Sequence, residues 1–322
     1  MLSYKEILQL FEERLSAYSY GEQPQRLYEP IEYIMSLGGK RLRPVLLLTA
    51  NQMCQGNIEE AMPAAMAIES FHNFTLLHDD IMDKSEMRRG KPTVNTKWND
   101  NIAILAGDTL LAKAYEMMNN LPAKRLKESL ELFTKTAVEV CEGQQYDMDF
   151  ETATEVSIEE YCKMIRLKTA VLIAASLKMG ALIAGTTKEE QNKFYKLGEE
   201  IGMAFQIKDD SLDVFGQQAA FGKETGLDIF TDKKTFIYLN AFEMANFETK
   251  KALKEAFSLQ DKTRKIKEVT ALYHKIGIKE EADKRILFHH NAASQILSSI
   301  NCSQESKDIL KKIIHTLIDR EV

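Results

Sequence analysis

All six prolines of the 322-residue chain (Pro24, Pro30, Pro44, Pro63, Pro92 and Pro122) fall before position 123. Proline removes a backbone donor and clashes with the preceding turn, so it breaks helix interiors. The proline-free stretch from 123 to 322 therefore favours continuous helix. Periodicity agrees. Phe194, Leu197, Ile201, Phe205, Leu212 and Phe215 recur on one helical stripe, as do Ile158, Tyr161, Ile165, Leu172 and Ala175. No alternating run between Gly and Asn turns suggests a sheet. With no repeat, low-complexity tract or linker, residues 1–322 are expected to form one all-α domain. The lysine-rich stretch 250–267 is expected to be a solvated helix face.

The net charge of −6 argues against a nucleic-acid partner, since phosphate backbones call for a basic footprint. Cys54, Cys141, Cys162 and Cys302 lie far apart without a CxxC pair, which suits a reducing cytoplasm rather than a zinc site or a disulfide framework. The N-terminal MLSYKEILQLFEERL is charged and amphipathic, unlike a signal peptide. The most apolar run, Thr169 to Gly185, carries Lys178 and is short for a membrane span, so a core helix is expected and not an integral membrane protein.

Two acidic clusters carry the chemistry: His78-Asp79-Asp80-Ile81-Met82-Asp83 and Lys208-Asp209-Asp210-Ser211-Leu212-Asp213, each of the form DDxxD. Residues i and i+4 share a helix face, so Asp79 with Asp83 and Asp209 with Asp213 form two carboxylate ledges. Carboxylates crowded among apolar neighbours repel one another and lose hydration unless a cation compensates. Hard oxygen ligands of this kind suit Mg²⁺, which keeps several waters and is shared with substrate phosphates. Two ledges on facing helices would hold a diphosphate between bridging ions. Glu69 and His72 make one ExxH pair with no second in the chain, so a di-iron bundle is a poor fit.

Basic residues answer the acidic ones. Gly38-Gly39-Lys40-Arg41-Leu42-Arg43-Pro44 reads as a helix C-terminus followed by the first turn of the next helix, with Lys40 and Arg43 as an anion site. It lacks the P-loop form. Arg88 and Arg89 follow the first cluster, and adjacent guanidiniums favour bidentate phosphate binding. Lys168-Thr169, Lys223 and Lys233 complete the set.

In order, GGKRLRP, HNFTLLHDDIMD, RRGKPTVN, GDTLLA, EGQQYD, KTA, FQIKDDSLD, GKETGLDI and the lysine of DKKT resemble the trans-isoprenyl diphosphate synthase (polyprenyl synthetase) family from Gly38 to Thr235. The resemblance implies an all-α bundle of the isoprenoid synthase type with a central active-site cavity. It implies head-to-tail condensation of isopentenyl diphosphate with an allylic diphosphate, and a cytoplasmic homodimer. Asp79, Asp80, Asp83, Asp209 and Asp213 resemble the ligands of Mg²⁺, three ions bound with the allylic diphosphate. Arg88, Lys168, Lys223 and Lys233 resemble the residues gripping that diphosphate, with Asp210 as a helper. Lys40, Arg43, His72 and Arg89 resemble the isopentenyl diphosphate site, and Thr169 and Gln206 the positions beside the developing carbocation. Two departures stand out: Asp232 replaces the usual glycine before Lys233, and Phe236-Ile237 stands where a proline is common.

Product length in such enzymes is set by side chains before the first aspartate, here Phe74 and Thr75. Thr75 lies one turn below Asp79 on nearly the same face, Phe71 continues the stripe roughly 12 Å below Asp79, and Phe74 points to the flank. A small Thr75 with Phe71 as floor, and no two-residue insertion in the motif, suggests geranylgeranyl diphosphate (C20), with farnesyl diphosphate (C15) second. A class I terpene cyclase fits less well, since Lys40, Arg43 and Asp213 have no counterpart there. A silent subunit of a heteromeric synthase would have lost aspartates, and all six remain.

Overall fold

The computed structural model describes residues 1–216 and 225–318, which are all-α apart from one two-stranded hairpin. Contacts gather into two compact units, each built from separated stretches of chain. One comprises Met1–Ala137, Ala175–Tyr195 and Ile300–Leu310; the other comprises Val138–Ala174, Lys196–Ser299 and the segment beginning at Lys311.

In the first unit, α1 (Tyr4–Ala17), α2 (Gln25–Ser36), α3 (Leu42–Met53), α5 (Val94–Lys97) and α6 (Asp100–Met118) pack around α4 (Ile58–Met82). Helix α4 is buried on almost every side, with Ala61, Ala64, Ala65 and Ala67 letting its neighbours approach closely. The Asn57 side chain caps it by accepting from Glu59 N at 3.0 Å, and Glu59 and Glu60 complement the positive end of the helix dipole. Pro44 sits in the first turn of α3, where its missing N–H costs nothing.

Helix α7 (Ala123–Thr152) begins in the first unit. The second unit holds its later part with α8 (Ile158–Ile165) and the opening of α9 (Val171–Ala184). It also holds α10 (Lys188–Phe215) from Lys196 on, α11 (Leu227–Phe230), α12 (Phe236–Met244), α13 (Phe247–Phe257), α14 (Lys262–Ile276) and α15 (Ile278–Ser299). Helix α16 (Gln304–Ile318) closes the described chain.

The expected apolar stripes are buried at Phe194, Leu197 and Ile201, and at Tyr161, Ile165, Leu172 and Ala175. The second stripe is not one regular helix, because Arg166–Ala170 widens into a π-helical turn between α8 and α9. Ile158–Ala184 is long and apolar enough to cross a membrane, but 78% of its most apolar window is buried within the protein, as a core helix requires. Within the lysine-rich stretch, Lys265 departs from the expected solvated face. It is 4% exposed and its ammonium meets Asp232 at 2.7 Å and donates to the Phe230 carbonyl at 3.1 Å.

Candidate active site

In the first unit the basic residues converge on the loop between α2 and α3. Gly38 and Gly39 have φ of +73° and +133°, conformations that side-chain-bearing residues rarely adopt, so the paired glycines let the chain reverse after α2. Arg41 is itself left-handed at φ +45° and is held there by its buried side chain. That guanidinium donates to Glu69 at 2.8 Å, to Glu12 at 2.9 Å and to the Met35 carbonyl at 2.7 Å. Glu69 and Arg41 have side chains only 3% and 2% exposed. The Glu69 side chain thus serves a buried ion pair, which explains why its ExxH pattern marks no metal.

Removing one member of a buried pair strands the other charge. Glu69→Ala should therefore lower unfolding stability by about 3–5 kcal/mol, measured by urea denaturation. A loss below about 1 kcal/mol would contradict this role.

Arg43 and His72 lie together, with Arg43 Nη1 3.0 Å from His72 Nε2. A guanidinium only donates, so Nε2 accepts and the ring proton sits on Nδ1. Burial, with the nearby charge of Arg43 and Arg89, holds His72 well below its ordinary pKa, which keeps this tautomer neutral. Burial also lowers Arg43, to about 10, and its Nε has no hydrogen-bond partner. The cluster is an incomplete set of donors suited to an anion.

Arg88 and Arg89 sit on the hairpin of β1 (Met87–Arg88) and β2 (Lys91–Pro92), whose turn residues Arg89 and Gly90 both have positive φ, +53° and +73°. Positive φ at both central positions matches the twist of a two-residue hairpin loop. The two arginines diverge there. Arg89 donates to the Gly38 carbonyl, joining the anion cluster. Arg88 turns to Asp80, with Nε 2.8 Å from Oδ2 and Nη2 2.7 Å from Oδ1. Asp80 is 1% exposed, and both of its oxygens are engaged by that fork.

Asp79 and Asp83 instead occupy the half-exposed end of α4, with Asp83 as its C-cap. The C-terminal end of a helix carries negative partial charge, and no basic residue stands in the last turn of α4. Carboxylates there fit a bound cation. The last turn of α10, below Asp209 and Asp213, likewise has no basic residue. Among the described residues no three carboxylate, His or Cys side chains enclose a metal by themselves. That donor set suits an ion that keeps its waters and shares phosphate oxygens, as Mg²⁺ does.

Beneath Asp79, the Thr75 hydroxyl donates to the His72 carbonyl at 2.8 Å, so it is satisfied within the helix. Phe71 is buried among aromatic rings, 5.5 Å from Phe74 and 5.6 Å from Phe133 between centroids. The Phe74 ring also meets His78 in a tilted contact, 4.7 Å between centroids. Phe71 and Phe74 thus form one aromatic cluster rather than two separate features.

The second unit gathers Lys168, Lys233, Thr169, Gln206, Asp209, Asp210 and Asp213. Lys168 and Thr169 lie in the π turn. Such wide turns expel one residue from the regular ladder and recur at functional sites. Lys168 Nζ meets Asp147 Oδ2 at 2.5 Å, and Lys233 Nζ lies 3.8 Å from the same oxygen. Burial pushes the Asp147 carboxyl up, but the two ammonium groups outweigh it and hold it below its ordinary range. Asp147 ends the EGQQYD motif, whose spacing alone gives it no role. The available signal was Gly143 one turn earlier, since a glycine inside a helix usually marks a close approach.

The turn carrying Lys233 explains the first family departure. Asp232 has φ +57°, the left-handed region where glycine is at ease and aspartate is tolerated, and Lys265 holds it. Neighbouring Lys234 turns away, donating to the Phe150 carbonyl at 2.6 Å.

Asp210 is buried and accepts from three donors: Tyr161 Oη, Gln206 Nε2 at 3.0 Å and Phe236 N at 3.0 Å. Burial nonetheless pushes its carboxyl up to about 6. Gln206 Oε1 in turn accepts from the Thr169 hydroxyl at 2.9 Å. Asp213 Oδ2 accepts from Asp228 N at 3.0 Å, and burial beside the Asp213 charge pushes the Asp228 carboxyl up to about 7. Asp228 therefore joins this acidic cluster, which motif spacing had not indicated. Lys223 lies outside the described residues.

The polyprenyl synthetase family model matches residues 24–276. The chain belongs to that family. A geranylgeranyl diphosphate synthase of Methanosarcina mazei is 45% identical over 224 residues, 69% of either chain. A short chain isoprenyl diphosphate synthase of Methanocaldococcus jannaschii is 42% identical over 270 residues, 83% of this chain and 82% of that one. A crystal structure of a geranylgeranyl pyrophosphate synthase superposes with a TM-score of 0.96 at 41% identity, covering 100% of both chains. The protein is accordingly an isoprenyl diphosphate synthase, a prenyltransferase that elongates allylic diphosphates.

Proposed function

We propose that the enzyme condenses isopentenyl diphosphate with allylic diphosphates up to geranylgeranyl diphosphate, using Mg²⁺. The observation that carries this reading is the pair of carboxylate ledges at the ends of α4 and α10, where the helix dipoles call for a cation. Divalent metal use is a property of the family. The proposal assigns three magnesium ions to Asp79, Asp83, Asp209 and Asp213, with Asp80 joining them only on releasing Arg88. Bound metal would stabilise charge on the departing diphosphate.

The protein's own groups do the rest. Arg88, Lys168 and Lys233 supply fixed positive charge to the leaving diphosphate, and Lys223 is assigned to the same task. Lys40, Arg43 and Arg89 hold isopentenyl diphosphate, with the His72 Nδ1–H as an added donor. Holding both reactants converts a bimolecular encounter into an oriented one. Thr169 and Gln206 stand beside the allylic cation as it forms. Residues 1–322 are proposed to act as one catalytic domain. A cytoplasmic homodimer is part of the reading, and the exposed Ile104 and Leu105 of α6 supply apolar surface for it.

Purified protein incubated with Mg²⁺, labelled isopentenyl diphosphate and C5, C10 or C15 allylic diphosphate should accumulate C20. A stop at C15 would move the floor up to Phe74 and Thr75, and no condensation with any primer would overturn the reading. Because Phe71 and Phe74 pack as one cluster, Phe71→Ala and Phe74→Ala should each open the floor and lengthen the product by at least one C5 unit in the same chromatographic assay. Unchanged products from both variants would remove these rings from chain-length control.

A further inference from the structure

The hydrogen bonds around Asp210 have a direction, and it runs to Thr169. A carboxylate accepts only, so the group of Gln206 that faces Asp210 must be its NH₂. The amide oxygen then faces Thr169, and the Thr169 hydroxyl must donate to it. A helical threonine ordinarily turns its hydroxyl to a carbonyl one turn back. Here that hydrogen is committed to Gln206, so both lone pairs of Thr169 Oγ1 remain to face a positive charge. The arrangement holds only while Asp210 keeps its place and its accepting role, and the Tyr161 hydroxyl is the side-chain donor opposite Gln206. Tyr161 is 2% exposed and comes from α8, directly before the π turn that carries Thr169.

We propose that Tyr161 is a positioning residue for the condensation: through Asp210 and Gln206 it orients the Thr169 hydroxyl so that its lone pairs, not its hydrogen, meet the allylic cation. This rests on the assignment of Thr169 to the site of that cation. Tyr161 touches no substrate in this scheme. Its effect passes through three hydrogen bonds, Tyr161 to Asp210, Gln206 to Asp210 and Thr169 to Gln206. A hydroxyl with its hydrogen pointed at the cation would repel it, so the direction of the chain matters as much as its existence.

The test is a double-mutant cycle on the Mg²⁺-loaded enzyme with geranyl and isopentenyl diphosphates. Tyr161→Phe keeps the buried ring and removes the donor, and it should lower kcat roughly tenfold, the scale of one hydrogen bond to a charged group. KM for both substrates and the half-saturating Mg²⁺ concentration should stay within about twofold, which a general loosening of the fold or of the metal ligands would not spare. Thr169→Val should lower kcat at least as much. In the Thr169→Val background, Tyr161→Phe should have no further effect, because the group it orients is gone.

Multiplicative losses in the double variant would overturn the proposal while leaving Thr169 in its assigned place. So would a raised Mg²⁺ requirement in Tyr161→Phe. An unchanged kcat in Thr169→Val would overturn the assignment of Thr169 together with the inference built on it.

Discussion

Asp79→Asn should lower kcat/KM about a thousandfold, the loss of about 4 kcal/mol of transition-state stabilisation expected when a metal ligand disappears. The same substitution should cost the metal-free protein less stability than loss of Asp80, because Asp79 is partly exposed where Asp80 is buried. Asp79 stands in the last turn of α4, where the dipole disfavours negative charge by about 0.3–1 kcal/mol. The nearby Asp83 carboxylate adds repulsion of the same sign. Carboxylates crowded at the negative end of a helix dipole suit a bound cation. Asp80→Asn provides the contrast. Its carboxylate is buried under the Arg88 fork, and losing it strands a guanidinium and should cost about 3–5 kcal/mol of stability as well as activity. Thermal melts of both variants without metal, beside steady-state rates with Mg²⁺, separate the two roles. A destabilised Asp79→Asn with near-native turnover would remove Asp79 from the metal site.

The helices and the order of the motifs were legible in the sequence because both follow from local rules. Apolar residues at helical spacing must be buried, and DDxxD puts its outer aspartates on one face whatever surrounds it. What surrounds each aspartate was not legible. Motif spacing treated Asp79, Asp80 and Asp83 alike, whereas the hairpin turn at Arg89-Gly90 sends Arg88 to Asp80 alone. The two-residue hairpin was missed because its strands are too short to show alternation, although Arg-Gly in a turn was its one local cue. The π turn was missed because the stripe from Ile158 to Ala175 passes through it without interruption. Asp147 and Tyr161 were missed for a different reason. Their roles depend on partners that only the folded chain brings near: Lys233 lies 86 positions beyond Asp147 (233 − 147) and Asp210 lies 49 beyond Tyr161. Asp232 shows the converse case. It departs from the family's glycine, yet its left-handed backbone is the conformation a glycine would adopt, so the departure changes the residue without changing the turn.

The second large effect concerns that π turn. A Cβ on Gly143 would fall 2.6 Å from Lys168 Cα and closer still to Lys168 N, with backbone rather than a flexible side chain in the way. Glycine in the middle of α7 is itself unfavourable by roughly 1 kcal/mol relative to alanine, so helix propensity alone predicts that Gly143→Ala stabilises. Overpacking predicts the opposite by about 1–3 kcal/mol, and backbone-to-backbone contact allows little relief. With backbone in the way the clash should win, lowering stability by up to about 2 kcal/mol net. Activity should fall further than stability. Lys168 Nζ sits 2.5 Å from Asp147, one turn along the same α7, so α7 fixes both the backbone and the ammonium of Lys168. Moving that lysine by about 1 Å should lower kcat roughly a hundredfold, with fully folded protein in the assay. Asp147→Asn, which leaves the backbone contact intact, should reproduce part of the kcat loss with little overpacking strain. Gly143→Ala with native kcat would show that the close approach of α7 serves packing alone and that Lys168 finds its place without it.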